Sequence, residues 1–359
     1  MDPIDRLESM LEDMSGSDPL FRPTNFWKTG LVSIVEELRE AGFNDFRSQT
    51  SALLMYVPTY ASQAYRQNPK QIERLARIIR LATKNERIAK LLTDDHSGRL
   101  QAERDHLVFK AACRPEVPPF LQNVSESEEG RPFEHYTFDS KRFSQSSLNY
   151  LRGLSFLKQK VDSSNVRKVL EIGGGYGTAG EIMLKARKDA LYVNIDIPPV
   201  AAVSSWYLSR VFGTDAVMTY EKTRDLESID IDKLPAGVRA LVLCPWQLPR
   251  LTGSFDLFIN FVSFQEMEPH VVKNYIDLVQ PLTRQFVLLR NSVKGKKVVK
   301  DGKGLGVLEA TTVEDMLESF GDFEVIGRDA DTFGAHNKKS GFKSEVVAMR
   351  RRASSGAHQ

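Results

Sequence analysis

The stretch Val169–Gly180 reads V-L-E-I-G-G-G-Y-G-T-A-G. An apolar strand pattern (Val169, Leu170, Ile172) runs into a turn holding Gly173, Gly174, Gly175 and Gly177, and a helical pattern follows through Ala179, Ile182 and Met183. Glycine lets the backbone turn at positive φ and approach a ligand closely, and the helix that follows offers its N-terminus. A strand–turn–helix of this kind is a seat for a nucleoside cofactor. Two readings fit it. Gly175-Tyr-Gly177-Thr-Ala-Gly180 matches G-x-G-x-x-G, with Asp196 at the distance of a ribose-binding acid, which points to an NAD(P)-dependent oxidoreductase. The other reading begins earlier, at Glu171, as E-x-G-x-G-x-G.

The sequence downstream separates the two. Strand patterns fall at Val169–Ile172, Leu191–Asp196, Leu241–Cys244, Leu257–Asn260, Phe286–Leu289, Phe323–Gly327 and Glu345–Met349. Helical patterns start at Thr178 and cover Val200–Phe212, Val271–Val279 and Thr312–Phe320, the last with a capping box at Thr311 and Glu314. Such alternation means a parallel sheet with right-handed crossovers. Only a loop joins the last two strands, so they pair as an antiparallel hairpin. A dinucleotide-binding sheet normally has six parallel strands, and the hairpin therefore favours the reading from Glu171. That pattern resembles the first motif of class I S-adenosylmethionine (SAM) methyltransferases. The resemblance implies their Rossmann-like α/β fold, a sheet of seven strands with the last antiparallel. Residues 213–238, with a short strand at Ala216–Tyr220, read as an insertion between the second and third core strands.

Residues 1–124 read as an all-helical N-terminal domain, either a cap or a dimerisation unit. Residues 1–22 are acidic and predict a short solvated helix followed by a mobile connector. Leu31, Ile34, Val35 and Leu38 share a face of the next helix. Gln71–Leu92 sets an apolar stripe (Ile72, Leu75, Ile79) against a basic one (Arg77, Arg80, Lys84, Arg87), which reads as a solvated face. The polar run Ser125–Arg131 is the boundary. Residues 125–352 form the sheet domain, opened by a helix at Ser144–Lys160, and 353–359 form a disordered tail.

With 359 residues, 41% of them hydrophobic, the chain can bury a sizeable core. A formal charge of +2 makes no commitment to nucleic acid or to an anionic membrane. Two cysteines far apart, no signal-peptide pattern and no bilayer-length apolar run predict a soluble cytoplasmic protein without disulfides.

Ligands of open α/β sheets lie at the carboxyl ends of the strands. Here those ends carry the Gly turn, then Asp196 and Ile197. A carboxylate at 196 can accept both ribose hydroxyls, or it can cap the helix that begins at Pro198-Pro199. The third strand leads into L-P-x-x-x-G-S-F-D-L from Leu248, similar to the stretch that takes SAM methyltransferases from the adenine pocket to the fourth strand. On that match Trp246 and Gln247 fall beside adenine. The fourth strand's exit gathers Asn260, Ser263, Gln265, Glu266 and His270 within eleven residues.

The run N-x-x-S-F-Q-E-M, with E-I-G-G-G-Y-G and D-I-P-P, resembles a family of sugar O-methyltransferases from bacterial antibiotic and surface-polysaccharide gene clusters, over Phe26 to Arg350. The resemblance implies SAM as cofactor, bound by Glu171, Gly173, Gly175, Gly177, Asp196, Ile197, Trp246, Gln247 and Asn260. It also implies natural-product chemistry, with methyl transfer to a hydroxyl of a sugar or glycoside. A neutral hydroxyl needs a base to take its proton. Glu266, His270 and His336 are the candidates, with His135 a fourth. Transfer to the nitrogen of an amino sugar or aminocyclitol, and NAD(P)-dependent oxidoreduction, stand as alternatives. No H-x-x-x-H, cysteine cluster or dense acidic triad suggests a metal site. The lysine run 294–303 reads as a solvated loop. Neither a nucleic-acid nor a membrane partner is expected; a homodimer would suit the helical domain.

Overall fold

The computed structural model describes residues 1–337 and 342–353. Within them the main sheet has nine strands: β1 Lys168–Ile172, β2 Leu191–Ile195, β3 Val217–Met218, β4 Ala240–Leu243, β5 Phe255–Phe261, β6 Thr283–Ser292, β7 Phe323–Asp329, β8 Ala335–Asn337 and β9 Phe342–Arg351. Their order is β7-β9-β6-β5-β1-β2-β4-β3, with β8 added alongside β9. From β6 to β3 every pairing is parallel, whereas β9 runs antiparallel to β6, β7 and β8. The mostly parallel mixed sheet and its terminal antiparallel pairing are those the sequence predicts. The two strands beyond the expected seven are short: β3 comes from the 213–238 insertion, and β8 from the loop ahead of β9.

Strand chemistry follows from burial on both faces. β5, F-D-L-F-I-N-F, is buried at every residue, the near-continuous apolar run of a strand covered by helices on both sides. β1 lies between β5 and β2, so the chain departs from it in opposite directions. Such a switch point leaves a crevice at the strands' carboxyl ends. The helix Gln145–Lys160, which precedes β1, is started by a reciprocal cap between Ser144 and Ser147.

Every element before residue 124 is helical, yet this region does not make a core of its own. One apolar cluster runs from Leu7, Ile34 and Phe46 through Leu151 and Tyr176 to Leu208 and Val346. The helix Pro3–Gly16 packs on Pro198–Phe212 with Leu7 and Met10 fully buried, so it is not the solvated helix expected from its acidity. Its charges are matched across the fold: Arg6 pairs with Glu221 at 2.6 Å, and Tyr220 donates to Asp13 at 2.5 Å. The expected connector also packs, Phe21 lying edge-on to Tyr275 at 6.1 Å. Gln71–Leu92 is broken at Lys84, which takes φ 54°, into helices Pro69–Thr83 and Glu86–His96. On the first of these only Ala76 is buried, and Leu75 is exposed.

Two further local readings change. The polar run at 125–131 is anchored through fully buried Glu126, which takes Arg47 at 2.5 Å and the Ser144 amide at 2.6 Å. The capping box near 312 sits one residue later than predicted. Thr312 and Asp315 reciprocate there, because the Thr311 hydroxyl turns inward and donates to the Met267 carbonyl at 2.7 Å. Among the described residues no helix is long and apolar enough to cross a membrane.

Candidate active site

A cavity of about 280 Å³ lies over the carboxyl ends of β1, β2, β5 and β6. Gly173–Gly175, Asp196 and Ile197 form one part of its wall; Val262, Ser263, Glu266 and Arg290 form another. Ser146, Asn149 and Tyr150 reach it from the helix before β1. The roof comes from far upstream, from Arg22–Thr24, Trp27 and Leu53–Pro58.

The Gly turn is shaped for close approach. Gly173 and Gly175 hold φ 68° and 59°, in the left-handed region that glycine enters freely. A Cβ on Gly173 would strike the Ser263 side chain, whereas a Cβ on Gly175 would meet nothing nearer than the Tyr56 carbonyl at 3.8 Å. Gly175 therefore leaves open space on the cavity side, a cradle that a side chain would fill. Gly177, at φ 97°, instead lets the following helix pack against Leu208 and Ser204, and it does not line the cavity.

Asp196 sits at the floor. Its two oxygens accept from the Gly175 amide at 2.9 Å and the Ile197 amide at 2.8 Å. Ile197, without a side-chain cap, is the N-cap of the next helix, so Asp196 is not that helix's cap. Each oxygen keeps a lone pair for a ligand hydroxyl. Burial pushes the Asp196 carboxyl up to about 8, against the two amide bonds, which pull it down. Such a group is ready to ionise when a ligand supplies further donors.

Glu171 lies behind the turn rather than on the wall. It is fully buried, its oxygens accept from Tyr150 at 2.7 Å and Tyr192 at 2.5 Å, and burial raises it to about 7. Its effect on the cavity passes through Tyr150. Asn260 is likewise structural: it donates to the Ile172 carbonyl at 3.0 Å and accepts from Phe264 and Asn291, holding β5 to β1 and fixing the exit turn. Gln265 belongs to the same lattice, accepting from the Ser292 amide at 2.5 Å.

Trp246 and Gln247 are outside the lining. Gln247 is fully buried with both amide atoms engaged, accepting from the Cys244 amide at 2.8 Å and donating to Thr223 at 3.0 Å. Trp246 packs edge-on against Tyr220 at 6.1 Å. An aromatic and an amide at the end of a strand gave no sign that the chain's own turn would use both.

Of the three candidate bases whose side chains are described, Glu266, His270 and His135, the structure brings Glu266 into the cavity. Glu266 is buried and accepts from Trp27 Nε1 at 3.2 Å; Lys296 Nζ pairs with it at 3.0 Å. Burial raises its pKa, while Lys296 and Trp27 oppose the rise. His270 is exposed near the start of the helix Pro269–Val279, outside the lining. His135 faces Glu126 at 3.5 Å and is not among the residues that line the cavity. The side chain of His336 lies outside the described residues. Lys296, from the supposed solvated loop, also sits 4.5 Å over the Phe26 ring, so it ties that loop to the N-terminal roof.

The residues missed from sequence are Trp27, Tyr56 and Arg290. The Tyr56 hydroxyl is buried with no hydrogen-bond partner, a donor left for a ligand. Its ring stacks on Phe46 at 6.4 Å. Arg290 stood in plain view as the lone charge inside Phe286–Asn291, where burial of an unpaired charge is rare. Val262, at φ 70°, is a β-branched residue held in the left-handed region at the β5 exit, strain of the kind found where a site is being shaped. Among the described residues no group of three or more His, Cys, Asp and Glu side chains is placed to hold a metal.

No protein-family model and no curated protein matches the chain. Among solved structures it is similar to magnesium protoporphyrin IX methyltransferase (ChlM) from Synechocystis PCC 6803 with bound SAH, at 12% identity and TM-score 0.37, over 69% of this chain and 99% of that one. It is similar also to the StiE O-MT, residues 942–1257, at 12% identity and TM-score 0.39, over 58% and 74%. A third is an S-adenosylmethionine-dependent methyltransferase from Clostridium acetobutylicum ATCC 824, at 11% identity and TM-score 0.37, over 57% and 92%. Likenesses this distant add nothing to the strand order, on which the fold stands.

Proposed function

We propose that the chain is a SAM-dependent methyltransferase that acts on a hydroxyl of a sugar or glycosylated small molecule. One observation carries this: a single cavity at the sheet's switch point joins the Gly173–Gly175 cradle and Asp196 to the polar exit of β5. The residues present fit the cofactor. Backbone at Gly173–Gly175 offers close approach, Asp196 offers two acceptor positions for a ribose, Ile197 and Val200 an apolar surface, and the Tyr56 hydroxyl an unused donor. When bound, SAM supplies an electrophilic methyl carbon.

The chain's own part is to orient the acceptor and remove its proton. Glu266 is the carboxylate positioned for this, held in place by Trp27 and Lys296. Burial makes it a stronger base than an exposed carboxylate, which suits a hydroxyl acceptor. Trp27 and Leu53–Pro58 roof the cavity and keep bulk water from it.

The cradle yields a prediction of its own. Gly175→Ala costs about 1–2 kcal/mol of stability through its left-handed backbone. It lowers affinity for S-adenosylhomocysteine (SAH) about tenfold or more, because the added methyl occupies ligand space. Thermal melts and calorimetry on the variant check both. The function itself is tested by incubating the protein with methyl-labelled SAM and a panel of nucleotide sugars and glycosides, read by mass spectrometry. The expected product carries the label on a hydroxyl oxygen. Label on nitrogen, or none on any acceptor, contradicts the reading.

A further inference from the structure

Four arginines are buried among the described residues, and three of them have an acid partner: Arg6 with Glu221, Arg47 with Glu126, Arg152 with Asp105. Arg290 has none. It stands on β6, opposite Phe261 of β5 and Val346 of β9, is 5% exposed, and lines the cavity. Its guanidinium makes no ion pair or hydrogen bond among the described residues, and its Nη1 is buried without a partner.

The carboxylates around it are already answered. Asp105 accepts from Arg152 at 2.6 Å, Tyr60 at 2.6 Å and Gln101 at 3.1 Å. Glu266 is held by Lys296 and Trp27, and Asp196 by two backbone amides. Two guanidiniums, Arg152 and Arg290, thus share the neighbourhood of the single carboxylate Asp105. Burial first, then the charge on Arg152, lowers the Arg290 pKa to about 10, which still leaves it protonated at neutral pH. A buried, unpaired cation destabilises the protein that contains it. A fold keeps one where a ligand anion completes the pair, and the guanidinium fork matches a carboxylate or phosphate bidentately.

We propose that Arg290 is the counter-cation for an anionic group, a carboxylate or phosphate, on a ligand of this cavity. Two strand spacings separate β6 from β1, roughly 10 Å. The anion therefore belongs either to the amino-acid tail of the cofactor, extended away from the Gly turn, or to the acceptor. The first source rests on the methyl-transfer reading; the second does not require it.

Calorimetry on the full chain tests the proposal with four probes: SAH, 5′-methylthioadenosine (the same nucleoside without the amino-acid tail), succinate and inorganic phosphate. Wild type is compared with R290Q and R290K, and thermal melts accompany each variant. In R290Q at least one anionic probe loses about tenfold or more in affinity. R290K falls between, since it keeps the charge and loses the fork. R290Q without ligand melts higher than wild type, which separates lost recognition from lost folding. If R290Q weakens SAH and spares 5′-methylthioadenosine, the cofactor tail is the anion. If both nucleosides are spared and succinate or phosphate is lost, the acceptor carries it. Wild type that binds phosphate or succinate through Arg290 but not SAH upholds the proposal and overturns methyl transfer. R290Q binding all four probes as wild type does overturns the proposal. So does a wild type that binds neither small anion and shows no preference for SAH over 5′-methylthioadenosine.

Discussion

Asp196→Asn is expected to weaken SAH binding by about a hundredfold and to flatten its dependence on pH. Two ribose hydroxyls donating to a carboxylate are worth about 1.5 kcal/mol or more each, and about 2.7 kcal/mol is a factor of one hundred. In the free protein burial holds the Asp196 carboxyl near 8. Hydroxyl donors favour the ionised form, so binding releases a proton and wild-type affinity rises with pH up to about 8, then levels. Calorimetry in buffers of different ionisation enthalpy reads that proton directly. Stability moves the other way. A carboxyl raised from an unfolded value of about 3.9 stabilises the fold fully below that pH and loses the contribution as pH climbs through about 8. Between pH 5 and 9 the melting temperature of ligand-free wild type should therefore fall more steeply than that of the variant, which cannot ionise.

Glu266→Gln is expected to lower kcat by about 10²–10⁴ while SAH affinity stays within about threefold of wild type. The amide keeps the shape and can still meet Trp27, but it cannot take a proton. Because burial raises the Glu266 pKa, wild-type kcat should rise with pH as the carboxylate ionises, and the residual rate of the variant should not. His270→Ala, at an exposed position outside the cavity, should leave both parameters near wild type. Single-turnover kinetics with the acceptor found in the labelled screen separates these outcomes. A large loss in His270→Ala, with Glu266→Gln unaffected, would reverse the assignment.

What the sequence made legible was whatever lies contiguous in it. The strand, the glycines at 173 and 175 and the acid at 196 belong to adjacent strands whose ends are brought together by the parallel register alone. The C-terminal antiparallel pairing was legible from the absent helix between two apolar runs. The roof was not: Trp27, in the helix Asn25–Ala41, and Tyr56, just past the helix Thr50–Met55, lie more than 100 residues before the Gly turn, and nothing in the local sequence marks them as ligand-facing. Acidity hid the burial of the first helix, because Arg6, Tyr220 and Arg224 lie ready to pair with its neighbours' or its own charges only in the folded chain. Gln247 and Asn260 show a complementary difficulty. A polar side chain at a strand end looks the same whether it awaits a ligand or satisfies its own backbone, and here both satisfy backbone. Glu171 is the intermediate case, acting on the cavity only through the hydroxyl of Tyr150.

The most direct measurement is calorimetry of wild-type protein with SAH and, separately, with NADH. SAH binding on the order of micromolar, lost in Asp196→Asn, with no heat from NADH, is the predicted result. NADH binding in the absence of any SAH binding would contradict it.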